Sequence, residues 1–380
     1  MLDARMSRTA HPAGPRPTPL ALLSRESALL VSVPSVLLAW TVAPATLGSF
    51  AGPLLVLLWL FGVMLWSSFA VVRHADGLAV LLGEPYGTLI LTLAVISIEV
   101  VMISAVMLGK ATHPTLARDT MFAVLMIVLN GMVGLTLTVG GLRHREQTHN
   151  LQGANAYMGL IFTLAGVGLV LPRFTISAPG GEHGPFLASY VIFVAVVLYA
   201  VFLGLQTTRY RHHFMPPQGA ADEGDHAHAA DYTASVHAVL LVASLLPIVL
   251  LSKKLALFLD EGLALFGAPQ ALGGFLVAVL VLAPEGLGAV RAALANQLQR
   301  AVNLCLGSAL ATIALTIPCV LVVAMVAGLR IELGLEPVEI VMLVLTLLVT
   351  SLHFASGHTN MLQGLVHLAL FAGYVVLIFD

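Results

Sequence analysis

Two glutamates, Glu99 and Glu285, stand inside long apolar stretches, LILTLAVISIEVVMISAVM (89–107) and GGFLVAVLVLAPEGLGAV (273–290). If those stretches are membrane helices, each carboxylate costs at least ~2.5 to 3.5 kcal/mol to insert, and acids at such depth mark ion or proton pathways. Two carboxylates brought together in a low dielectric cannot both stay ionised. They must take up protons or a cation. A hard ion such as calcium wants roughly six to eight oxygens, so carboxylates, hydroxyls, amides and freed backbone carbonyls suit it. Protons and a metal then compete for one site, and with alternating access that competition is antiport. The opposing reading is that each acid sits at a helix end and snorkels to water, since Glu285 follows Pro284 near a predicted helix end.

The elements that would position these residues follow from composition. Hydrophobic residues make up 59% and charged residues 9% of 380, with a mean hydropathy of +0.98. Such a chain is a polytopic membrane protein. Apolar runs at roughly 27–46, 50–72, 87–109, 119–140, 154–172, 186–207, 236–258, 271–290, 301–327, 337–355 and 360–379 predict an all-α protein with about eleven crossings. Residues 1–26, with Arg5, Arg8, Arg16 and Arg25, read as a cytoplasmic tail rather than a signal peptide. An inside amino terminus places eleven Lys and Arg in the inner segments. Six lie outside: Lys110, Arg118, Arg173, Lys253, Lys254 and Arg330. The pair Lys253 and Lys254 is the main opposition to that topology. Cys305 and Cys319, fourteen apart in one run, are too distant to be bridged. Nothing in the charge pattern suggests nucleic acid, so the bilayer is the expected partner.

A polar stretch near the middle carries His212, His213, His226, His228 and His237 with Asp222, Glu223, Asp225 and Asp231. It reads as a solvated linker, the alternative being a metal-binding or pH-sensing loop. On either side the chain repeats itself. Each half begins G-[EA]-P, at Gly83 and Gly267, and reaches its glutamate fourteen or sixteen residues after the proline. The expected organisation is tail 1–26, accessory helix 27–49, first five-helix repeat 50–208, linker 209–235 and second repeat 236–380. Five helices per repeat is odd, so the second copy is inverted, and Glu99 and Glu285 lie on corresponding helices near the midplane.

Other polar residues could complete the site. Ser97 and Ser104 flank Glu99 as ligands, relays or groups bonded back to their own helix. Asn130 and Asn303, inside apolar runs, line the path or bridge helices. Gln297 and Gln299 fall at the cytoplasmic mouth as gating candidates. His353, His358 and His367 lie near the last two helices as proton carriers or packing histidines. Asp119 reads as an acid at a helix start. An intramembrane enzyme is the rival of another class, but no H-E-x-x-H occurs, and the only adjacent acid pairs are Asp222-Glu223 in the linker and Asp260-Glu261 in an expected loop. A channel is the other rival, and coupling stoichiometry separates it from an exchanger.

Four stretches, SIEVVMISAVMLG (97–109), LYAVFLGLQTTRYRHHF (198–214), APEGLGAVRAALANQLQRAVNLCLGSALATIALTIP (283–318) and SGHTNMLQGLVHLALFAGYVVLIF (356–379), resemble the calcium:cation antiporter superfamily. The likeness is greatest to the calcium/proton and sodium-potassium/proton antiporters of the bacterial inner membrane. The resemblance implies eleven helices, two repeats each with an essential glutamate, here Glu99 and Glu285, and a Gly-Ser pair, here Gly307 and Ser308, as ligands. It implies no cofactor, only transported calcium, sodium, potassium and protons. The chain departs from the commoner pattern at Ile96, Ser97, Leu282, Ala283 and Ala311, where relatives carry Gly-Asn pairs and a glutamine. These changes remove side-chain oxygens and leave sodium and potassium beside calcium as expected cargo.

Overall fold

The structure, a computed structural model, describes residues 25–42, 51–82, 86–108, 114–176, 178, 180–216 and 232–380. Their long helices are α1 (Ser27–Thr41), α2 (Ala51–Leu82), α3 (Tyr86–Met107), α4 (Leu116–His144), α5 (Leu151–Phe174), α6 (Pro185–Thr207), α7 (Ala234–Phe266), α8 (Gln270–Leu294), α9 (Leu298–Ala327), α10 (Pro337–Phe354) and α11 (Met361–Ile378). Nine of them are long and apolar enough to cross a membrane; α1 and the apolar part of α3 are shorter. Each of the eleven expected crossings thus coincides with a helix among the described residues. Helix ends follow local chemistry. Pro185 and Pro337 open α6 and α10, where no backbone donor is needed. Gly267 and Gly328, in the left-handed region, close α7 and α9.

Two helices overshoot their predicted bounds. α2 has 32 residues and α7 has 33, each about 48 to 50 Å long against ~30 Å of hydrocarbon. The apolar run of α2 ends near residue 72, before Arg73, His74 and Asp76, yet polar side chains do not stop a helix that leaves the bilayer. Asp260 and Glu261 likewise lie within α7, not in a loop, and His237 belongs to α7 rather than to the linker. The acid- and His-rich residues 217–231, the tail to residue 24 and the Gly83-Glu84-Pro85 motif lie outside the described residues.

Loop pairings set the relative direction of the helices. β1 (Glu146–Thr148), between α4 and α5, pairs antiparallel with β2 (His358–Asn360), between α10 and α11. Glu182, between α5 and α6, bridges Glu332, between α9 and α10. The α4–α5 loop and its counterpart α9–α10 thus lie at opposite ends of the bundle, as inversion of the second five helices requires. Lys254 also finds its reason here: its Nζ donates to the Val42 carbonyl at 3.0 Å and sits 5.7 Å over the Trp40 ring, closing the end of α1.

Apart from the small pair Leu116 and Ala256, the apolar interior of the described residues divides in two. One core joins α1, α2 and α7 through Ala39, Leu60, Met64, Val71, Ile248, Leu251 and Phe258. The other joins α4, α5, α6, α9, α10 and α11. Helices α3 and α8 belong to both: Ile98 and Met102 face the first core and Ile96 and Ile103 the second, while Leu280 and Val281 face the first and Leu282 and Ala289 the second. The seam between the cores therefore runs along the two helices that carry the glutamates. Within the larger core α4 and α11 approach closely, since a methyl group at Gly141 would overlap Met361 and one at Gly364 would overlap Thr138.

Candidate functional site

Helices α4 and α9, third in each set of five, carry the same irregularity. α4 widens into a π turn at Ile127–Met132 and α9 at Thr312–Thr316. Such turns alter the backbone bonding of a helix locally and recur at functional sites. Each glutamate helix meets the π turn of the other set. Glu99 on α3 is 2% exposed, and its Oε2 accepts from Thr312 Oγ1 at 2.9 Å. On α8, the residue after Glu285 faces Met132, with a methyl at Gly286 coming 3.4 Å from Cγ.

Glu285 is 9% exposed and lies nine residues before Leu294, about 14 Å from the helix end. Snorkelling across that length is out of reach for a glutamate. Both of its oxygens, and Oε1 of Glu99, are buried without a hydrogen-bond partner among the described residues. Three orphaned carboxylate oxygens in an apolar bundle are costly unless something is bound. Pro284 adds to the supply, because it cannot donate to the Leu280 carbonyl a turn earlier.

The other sequence candidates divide by where their side chains go. Ser97 does not join the site: it is exposed, and its Oγ donates back to the Leu93 carbonyl at 2.6 Å. Two residues from Glu99 is about 200° around a helix, so the two point apart. Ser104 Oγ is buried and without a partner among the described residues. Ser308 is half-buried, one turn before Thr312, and Gly307 faces the Tyr157 hydroxyl. Gln299, expected at a gate, and Asn303, expected to line the path or bridge helices, are joined in one hydrogen-bonded chain near the start of α9. Gln299 accepts from the Asn150 backbone at 2.6 Å and donates to Asn303 at 2.9 Å, and Asn303 donates to the Phe214 carbonyl at 2.8 Å. Gln297 is half-buried at the start of α9. Cys305 and Cys319 are both free. Asp119 is gripped by Arg118 at 2.9 Å and Thr115 at 3.1 Å.

Asn130, wholly buried in the α4 π turn, looks outward from the seam. It donates to Thr346 Oγ1 on α10 at 2.8 Å and its Oδ1 accepts from the His367 ring on α11 at 3.2 Å. His353 packs edge-on against His367, ring centroids 5.0 Å apart. None of these contacts reaches either glutamate, so Asn130, His353 and His367 form a helix-bridging group. Asn130→Ala is accordingly expected to lower stability by about 1–2 kcal/mol and to leave cation affinity unchanged. Thermal melting in detergent beside a cation titration checks this; weakened affinity would return Asn130 to the site.

Two groups escaped the sequence reading. Thr312 and Thr316 follow Ser308 at intervals of four, a hydroxyl row on one face of α9 that the spacing alone could have revealed. Asp76, exposed towards the end of α2, lies within charge range of both Glu285 and Arg300, so a third acid accompanies Glu285 on that side.

Comparison with known proteins accords with this architecture. Over 326 residues the chain is 42% identical to the sodium-potassium/proton antiporter of Escherichia coli (strain K12), covering 85% of this chain and 88% of that protein. It is 23% identical over 247 residues to a Ca(2+)/H(+) antiporter of Bacillus subtilis (strain 168), covering 65% and 69%. The crystal structure of the Ca2+/H+ antiporter protein YfkE shares the fold at a TM-score of 0.71 and 18% identity, over 93% of this chain and 99% of that one. The H+/Ca2+ exchanger CAX does so at 0.65 and 15%, over 93% and 88%. Residues 52–208 and 236–379 match the family model described as sodium/calcium exchanger protein. The chain belongs to the sodium/calcium exchanger family.

Proposed function

We propose that the protein is a secondary active cation/proton antiporter of the bacterial inner membrane, with Glu99 and Glu285 as its ion-carrying residues. The observation that carries this reading is the pair of buried carboxylates at the seam, with three oxygens that no described residue satisfies. Loading two protons, or one divalent cation in their place, keeps the charge of the pair balanced, so cation flux drives opposite proton flux. The Thr312 hydroxyl and carbonyls of the π turns are the further oxygens within this scheme. Movement of the α1, α2 and α7 core against the larger core opens the seam to one side and then the other. The amino terminus lies in the cytoplasm, and Asp76 with Arg300 lies at the cytoplasmic approach to Glu285. The cargo is calcium, sodium or potassium, the sodium and potassium alternatives being favoured by the 42% identical relative. The protein is a transporter and not an enzyme, working with inorganic ions and lipid.

The test uses everted membrane vesicles with an acid interior. Calcium, sodium or potassium is added singly while a pH-sensitive dye reports proton release. Release driven by at least one cation is the expected result and ranks the cargo. Wild-type vesicles that contain the protein and show no cation-driven release would remove the antiport reading in favour of a channel.

A further inference from the structure

Away from the glutamates, five polar residues converge where the start of α1 meets the end of α2 and the start of α7. Arg73 Nη2 lies 2.7 Å from Glu26 Oε2, and its Nη1 donates to the Arg25 carbonyl at 2.8 Å. The Tyr232 hydroxyl donates to Glu26 Oε1 at 3.1 Å. His74, wholly buried, sets Nε2 3.1 Å from Glu26 Oε2 and 3.3 Å from Arg73 Nη2. Its Nδ1 meets Nδ1 of His237 at 3.1 Å, although the two residues are 163 apart in the chain. The His237 ring, 5% exposed, lies against α2 at Gly77, where an added methyl group would overlap it. α2 and α7 are the first helices of the two five-helix sets, so this cluster ties corresponding elements at one end of the bundle.

The proton count of that contact is constrained. Nδ1 facing Nδ1 needs one N–H between them. With both rings neutral there are two solutions: His74 donates through Nε2 to Glu26 and accepts from His237, or it accepts from Arg73 at Nε2 and donates through Nδ1 to His237. One added proton is also accommodated, with a cationic His74 between Glu26 and a neutral His237. Two added protons are not. Two N–H groups would then oppose each other at 3.1 Å, and two imidazolium charges would join Arg73 around the single carboxylate of Glu26.

We propose that His74 and His237 form a proton-operated latch that holds the ends of α2 and α7 together with up to one added proton and releases them with two. The groups that set its state are Arg25 and Glu26 before α1, Arg73 on α2, and Tyr232 and His237 on the α7 side. Histidine is the side chain suited to such a change near physiological pH. Because the antiport reading brings protons to the cytoplasm, the latch would sense the side that receives them. Its geometry does not involve Glu99 or Glu285.

The test measures distance rather than flux. In full-length protein with Cys319→Ser, spin labels are placed at Leu81→Cys on α2 and Val239→Cys on α7, both exposed positions. The distance between them is followed from about pH 8 to about pH 5, across the imidazole range. The expected result is a longer mean distance in acid, abolished by His74→Gln and by His237→Gln. Gly77→Ala, which displaces the His237 ring, is expected to give the long distance already at about pH 8. A distance that does not change with pH, or that still changes in both glutamine variants, overturns the latch. Either failure leaves the antiport reading standing, because ion exchange is not the readout.

Discussion

Glu285→Gln is expected to reduce coupled exchange by about a hundredfold or more, the scale on which loss of an essential proton acceptor is felt, without lowering the amount of protein in the membrane. The substitution keeps volume and removes charge. In the native chain Glu285 has no hydrogen-bond partner among the described residues, so no local bonding is lost when it becomes an amide. Insertion instead becomes easier, because a neutral side chain avoids the cost of a charge at depth. Loss of exchange with undiminished expression and an equal or higher melting temperature therefore distinguishes an ion-carrying group from a structural one. Glu99→Gln is expected to match it, and the double variant to be no worse than either, since both acids serve one site. Coupled exchange that survives in the double variant would remove both residues from the mechanism.

Thr312→Val carries the second-largest expected effect. Valine has the shape of threonine but cannot donate, and the bond it loses is the one to Glu99 Oε2 at 2.9 Å. A hydrogen bond to a charged group contributes about 1.5–3 kcal/mol, which is a tenfold or greater change in an equilibrium constant. The cation concentration for half-maximal exchange should rise about tenfold near neutral pH. The deficit should narrow in alkaline medium, where fewer protons compete. Thr312→Ser, which keeps the hydroxyl, is expected to restore most of the affinity. An unchanged half-saturation in the valine variant would show that the hydroxyl does not assist the ion site.

Much of this was legible in the residues themselves, for reasons that differ from place to place. Each crossing declares itself as a run of about twenty apolar residues, and a carboxylate within such a run is conspicuous against that background. The extensions of α2 and α7 were hidden by Arg73, Asp76, Asp260 and Glu261, because hydropathy reports where the bilayer ends and not where the helix does. Ser97 misled for the opposite reason: nearness in sequence to Glu99 places it on the far side of the helix. Thr312 was overlooked because a threonine in a membrane helix ordinarily bonds to its own backbone, as Thr350 does to Thr346 at 2.6 Å. The meeting of His74 with His237 had no local signal at all, since it arises from the inverted pairing of two distant helices.

The division of the apolar interior has a thermodynamic consequence. A ligand held between two packed bodies adds its binding energy to their mutual adhesion rather than to either alone. The gain follows RT ln(1 + [L]/Kd), about 2.7 kcal/mol at a hundredfold excess over Kd. With Glu99 and Glu285 on the two helices shared by both cores, a bound cation acts as mortar, and the empty carrier is the form most apt to melt in two steps. Calorimetry with and without cargo would register this as a single sharper transition on loading. Ion occupancy and mechanical unity would then be two readings of one free energy.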